Sequence, residues 1–100
     1  MLLADFLPTL KPIALHHWAD APIGGIACRP QAVPASALYA VIDEFLHYGQ
    51  WTQGAALPLP LAQIAALIVE QPLEGIALPQ IQVKNSRQAL AQVAKQFYHQ

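Results

Sequence analysis

Several groups of residues in this chain carry side chains capable of chemistry, and their spacing decides what each could do. His16 and His17 are a histidine pair, but adjacent residues on a strand point to opposite faces and chelate a metal poorly. His47 and His99 have no companion ligand at metal-binding spacing, so no metal site is expected. Asp43 and Glu44 could act as paired carboxylates, yet no nucleophile or second acid stands at a recognisable distance in the sequence. Ser36 and Cys28 lack a local context that would activate a nucleophile. Gly24-Gly25 either admits a ligand close to the backbone or marks a strand bulge. Gly49-Gln50-Trp51 could bond a phosphate and stack a base, a contact worth about 1–3 kcal/mol, or the indole could simply cover a core edge. Lys84, Arg87 and Lys95 could meet an acidic partner or form an ordinary solvated face. No catalytic residue and no cofactor is expected from this set.

The elements that must position these residues come from a weakly charged chain. Its 100 residues are 55% hydrophobic and 11% charged, enough for one domain with a single core and unlike a disordered tail. Five basic against six acidic residues give a net charge of −1, which excludes the basic stripe that nucleic-acid binding requires. So few charges leave apolar surface, and hence an expected protein partner. Cys28 is the single cysteine, so no internal disulfide can form. The start, Met1-Leu2-Leu3-Ala4-Asp5, has no positive n-region, and Gly54 to Val69 is too short and too interrupted by proline to span a bilayer. A cytoplasmic domain without membrane insertion is the expectation.

Leu78 to Tyr98 is the clearest stretch. Leu78 to Val83 alternates apolar and polar residues like a half-buried strand. Asn85 then reads as a helix N-cap with Gln88 at the capping-box position. Leu90, Val93, Ala94 and Phe97 form one apolar face, opposite Arg87, Gln92, Lys95 and Gln96. Upstream, Leu2 to Leu7 predicts a short helix closed by Pro8, and Ile13-Ala14-Leu15 a short strand. His16 to Pro22 reads as loop, Ile23 to Cys28 as a strand, and Arg29 to Ser36 as a loop. Ala37 to Ile42 and Ala65 to Val69 are continuous apolar runs suited to strands buried on both faces. Asp43 to Gly54 reads as loop with helical turns, and Pro60 suits the first turn of a short helix through Ile64. The sum is an α/β fold: a small two- or three-layer sandwich with a mixed, mostly parallel sheet of about five strands and a C-terminal amphipathic helix.

These segments resemble, in order, the N-terminal domain of Mur ligases, most closely the MurE type. Leu2-Leu3-Ala4-Asp5-Phe6-Leu7-Pro8 is similar to the family's first helix, and Gly25-Ile26-Ala27-Cys28-Arg29 to the strand leading into its uridine-binding loop. Ala37-Leu38-Tyr39-Ala40-Val41 resembles the next strand, and Ala65-Ala66-Leu67-Ile68-Val69-Glu70 the Gly-Ala-rich strand that ends in an acidic residue. Val83-Lys84-Asn85-Ser86-Arg87-Gln88-Ala89-Leu90 with Phe97-Tyr98 is the best match. The resemblance covers nearly the whole chain and implies a role in peptidoglycan synthesis. The implied ligand is UDP-N-acetylmuramoyl-dipeptide, with Gly25, Arg29, Gln31, Gly49, Gln50 and Trp51 as the implied substrate-binding residues.

The family's binding motifs are thinly represented. Around the uridine, members carry Asp-Ser-Arg or Tyr-Arg-Ser-Asp, then Pro-Gly-Asp; here the chain reads Cys28-Arg29-Pro30-Gln31-Ala32-Val33-Pro34-Ala35-Ser36. A proline in the serine's place removes a hydroxyl and an N–H together. The family's Asp-Gly-His-x-Phe corresponds to Tyr48-Gly49-Gln50-Trp51, which keeps the glycine alone. The sequence also contains no Gly-Lys-Ser/Thr of a phosphate-cradling loop. Two expectations follow. The first is a non-catalytic MurE N-terminal-like module that has lost much of the UDP-sugar site and serves as an interaction or accessory domain. The other is a substrate-docking domain of a MurE-type ligase, separated from its catalytic domains near Phe97-Tyr98.

Overall fold

The structure, a computed structural model, describes residues 1–29, 32–42, 61–73 and 75–98. Its centre is a five-stranded sheet built from β1 (Ala14–His16), β2 (Gly25–Ala27), β3 (Ala37–Ala40), β4 (Ile64–Val69) and β5 (Gln80–Gln82). The spatial order is β1-β5-β4-β3-β2. β2, β3, β4 and β5 run parallel, and β1 closes one edge antiparallel to β5. The expected mixed, mostly parallel sheet is the sheet observed.

The apolar runs become the central strands for the reason their patterning implies. All four residues of β3 are buried, as are five of the six of β4, with Ala65 half-buried. A parallel strand covered on both faces needs apolar side chains at every position. Leu38, Ala40, Ala66, Ile68, Ile81 and Val83 enter one core cluster. Tyr39, Val41, Ile64, Leu67 and Val69 enter a second cluster on the opposite face. The register between β3 and β4 slips once, Ala37 facing Ile64 and Leu38 facing Ala66. Ala65 is thus an extra residue on β4 of the kind that makes a bulge.

Two helices, α1 (Leu7–Leu10) and α2 (Ser86–Tyr98), lie against the first cluster. The N-terminal expectation needs correction. A 3-10 turn over Leu3–Phe6 runs straight into α1, and Pro8 sits inside the first turn of α1 rather than ending a helix. The proline is tolerated there because first-turn N–H groups have no intrahelical acceptor. Lys11, at φ 48°, ends α1 in the left-handed region. Asn85 is the N-cap predicted for α2: its Oδ1 accepts the Gln88 N–H at 3.0 Å. The buried face of α2 is rotated from the expected one. Ser86, Ala89 and Val93 are buried, while Leu90 and Phe97 pack half-buried beside them. Gln96, assigned to the solvent side, instead ties α2 to the N-terminus. Thr9 Oγ1 donates to its Oε1 at 2.5 Å, and its Nε2 donates to the Asp5 carbonyl at 2.9 Å.

Candidate functional site

The carboxyl ends of parallel strands and the turns that follow them are where open α/β sheets gather polar side chains. In this protein a line of hydrogen bonds starts there, at the ends of β4 and β5 and the start of α2. It reaches back across β5 to the antiparallel edge strand β1, whose His16 stands opposite the first residue of β5. His16, the last residue of β1, places its Nε2 3.1 Å from Gln82 Oε1. Gln82 Nε2 donates to the Glu70 carbonyl at 3.2 Å. The Glu70 carboxylate, one residue past β4, accepts from both the Ser86 N–H and the Ser86 hydroxyl, each at 2.9 Å. Glu70 therefore sits on the N-terminus of α2, the position with exposed N–H donors and positive dipole to which an anion is drawn. The chain's own carboxylate holds that position.

The polar side chains of this line are engaged with one another. Ser86 Oγ is a donor to Glu70 and the residue is 3% exposed, so it presents no attacking oxygen. His16 engages its Nε2 with the Gln82 side chain. Among the described residues no three His, Cys, Asp or Glu side chains converge on a metal position.

The second polar element was not legible in the strand pattern. Gln80 is 2% exposed. Its Oε1 accepts the Leu73 N–H at 2.7 Å, and its Nε2 donates to the Leu73 carbonyl at 2.9 Å and the Ile76 carbonyl at 3.4 Å. One amide thus satisfies three backbone groups of the turn between β4 and β5. An open depression lined by His17, Gly75, Ile76 and Ala77 lies on that turn. Gln80 and Gln82 fall on alternate strand positions that read as solvent-facing. Gln80 is buried against the turn between β4 and β5 and Gln82 is half-buried beside Glu70, so their amides take partners from the protein. Two uncharged amides where lysine or glutamate would be ordinary was the available signal.

Of the residues implied to bind substrate, Gly25 and Arg29 lie within the described structure, while Gln31, Gly49, Gln50 and Trp51 lie outside it. Gly25 opens β2 and is buried; Arg29 is exposed beyond the other end of β2, so the strand separates them. The close backbone approach expected at Gly24-Gly25 is made by the chain itself. A Cβ on Gly25 would lie 2.4 Å from Pro34 Cγ, and one on Gly24 would lie 2.7 Å from the Ala35 carbonyl oxygen. The Gly24 N–H also donates to the Ser36 carbonyl at 2.9 Å. These glycines let the loop between β2 and β3 fold back onto its own strand. Lys84 and Arg87 are exposed around the start of α2, as is Lys95 farther along.

Tyr39 adds a feature that its place in an apolar run concealed. Paired with Ala27 in the middle of the sheet, it is fully buried. Among the described residues its hydroxyl has no hydrogen-bond partner. Burial pushes its pKa well above the ordinary tyrosine value, and the nearby Cys28 thiol raises it further. The phenol is a neutral donor held in an apolar layer. Among the described residues, no helix is long and apolar enough to cross a membrane.

No protein-family model matches this chain, and no curated protein matches it.

Proposed function

We propose that this chain is a non-catalytic domain similar to the N-terminal domain of MurE-type ligases, and that it acts as an interaction or accessory module with much of the UDP-sugar site lost. The observation that carries this reading is the filling of both anion-approach positions by the chain. Pro34 occupies the space over Gly25, and the Glu70 carboxylate occupies the N-terminus of α2. Diphosphate recognition needs free N–H donors and backbone open to close approach. The five-stranded sheet and C-terminal helix support the fold half of the reading. The Glu70–Ser86 contact supports it too, because it joins two of the segments on which the resemblance rests. Catalysis by this chain alone lacks a phosphate-cradling Gly-Lys-Ser/Thr loop in the sequence.

The competing reading is a working docking domain for UDP-N-acetylmuramoyl-dipeptide, with Arg29, exposed beyond β2, as its described polar contact. Calorimetric titration with that ligand separates the two. The accessory reading expects no saturable heat at millimolar ligand, and a saturable one-to-one isotherm overturns it.

A further inference from the structure

We propose that β1 pairs with the β1 of a second copy of this chain, antiparallel across a two-fold axis. The proposal stands on the sheet edge and does not depend on the functional reading above. β1 ends the sheet, and among the described residues no strand pairs with its outer side. The apolar side chains around it are open: Ile13 is 64% exposed, and Leu15 and Trp18 are each 40% exposed. Natural edge strands are blunted by lysine, inward charge or a covering segment, because a bare edge recruits another strand. From Pro12 to Ala19 the chain has no Asp, Glu, Lys or Arg. An uncharged edge is matched by an uncharged edge, and a second β1 brings no like charges together. The net charge of −1 adds little repulsion between copies.

Topology favours this partner over the other edge of the sheet. The residues leading into β2 are already flanked by the N-terminus: Ile23 N–H donates to the Met1 carbonyl at 2.7 Å, and Leu3 N–H to the Ala21 carbonyl at 2.8 Å. A head-to-tail ladder of β1 on β2 meets that flanked end, whereas β1 on β1 closes with two copies. Ile13 and Leu15 lie two residues apart and so share one sheet face. A two-fold axis near Leu15 sets each copy's pair beside its partner's, and cross-strand apolar pairs are the unit of sheet stabilisation.

The test is sedimentation velocity on the 100-residue chain from micromolar to several hundred micromolar, with isotope-filtered NOE spectra of a mixed labelled sample. The expected result is a concentration-dependent dimer with intermolecular NOEs within residues 13–16. Leu15→Lys should weaken dimerisation by more than about tenfold while leaving the circular-dichroism melt unchanged. Ile13→Lys is the second variant should Leu15→Lys fail to fold. Tyr98→Lys, on the helix that packs over β2, β3 and β4, should leave the dimer intact. A monomer at every concentration overturns the proposal. So does a dimer indifferent to both β1 variants, or one dissolved equally by Tyr98→Lys.

Discussion

Glu70 Oε2 accepts two hydrogen bonds from Ser86, one from its N–H and one from its hydroxyl, both at 2.9 Å. The contact fastens the end of β4 to the start of α2 and fixes which side of that helix faces the sheet. Removing the carboxylate leaves the buried Ser86 hydroxyl and a helix N–H without this acceptor, and hydrogen bonds to charged groups are worth about 1.5–3 kcal/mol. Glu70→Ala is therefore expected to lower the unfolding free energy by about 2 kcal/mol in urea titration. Ser86→Ala should cost less, because the backbone N–H still reaches Glu70. A double-mutant cycle between the two positions should show coupling of at least about 0.5 kcal/mol.

Gln80 is expected to be the least replaceable polar residue described. Gln80→Leu keeps the bulk but strands the Leu73 N–H and the Leu73 and Ile76 carbonyls. Each buried unsatisfied group costs about 1–3 kcal/mol, so loss of at least about 2 kcal/mol is expected. Faster amide exchange at Leu73 would be the local signature, and an unchanged Leu73 exchange rate would contradict the assignment.

Tyr39 carries the opposite expectation. Its hydroxyl is buried without a partner among the described residues, so Tyr39→Phe should raise stability by about 1 kcal/mol. The alkaline limb follows from the same burial. Because the folded-state pKa lies above the ordinary value of 10.0, the neutral phenol's stabilisation is complete below that value. It is lost as pH rises above it toward the folded-state pKa. Wild type should therefore lose stability above about pH 10, and Tyr39→Phe should lose less. Equal alkaline sensitivity in parallel urea titrations would count against this.

Gly25→Ala should be strongly unfavourable, since its new methyl would lie 2.4 Å from Pro34 Cγ. Overpacking of this kind costs about 1–3 kcal/mol. Pro34→Ala should recover part of the loss in the double variant, as measured by thermal melting. Absence of rescue would mean that the loop does not press on Gly25.

Much of this architecture was legible in the chain because burial on two faces leaves an unmistakable apolar run. Ala65 to Val69 and Ala37 to Ile42 read as central strands, and the central strands are Ile64–Val69 and Ala37–Ala40. Asn85 read as a cap, since a short polar side chain before an amphipathic stretch has few other uses. Pro8 misled because a proline can stand inside a first helical turn as well as beyond a last one. Gln80, Gln82 and Gln96 misled because an amide facing water and an amide satisfying buried backbone look alike in sequence. Their partners come from strands and turns that only the fold brings near. For the binding residues, the pattern at Gly24-Gly25 announced a close approach but could not say whether a ligand or Pro34 would make it.

The most direct test of the account is a residue-resolved NMR titration of the labelled chain with UDP-N-acetylmuramoyl-dipeptide, following the Gly25 and Gly49 amides and the Trp51 indole. No resonance is expected to shift saturably at millimolar ligand, because the chain itself fills the approach at Gly25 and at the start of α2. Saturable shifts confined to Gly25, Gly49 and Trp51 would contradict it and restore the substrate-docking reading.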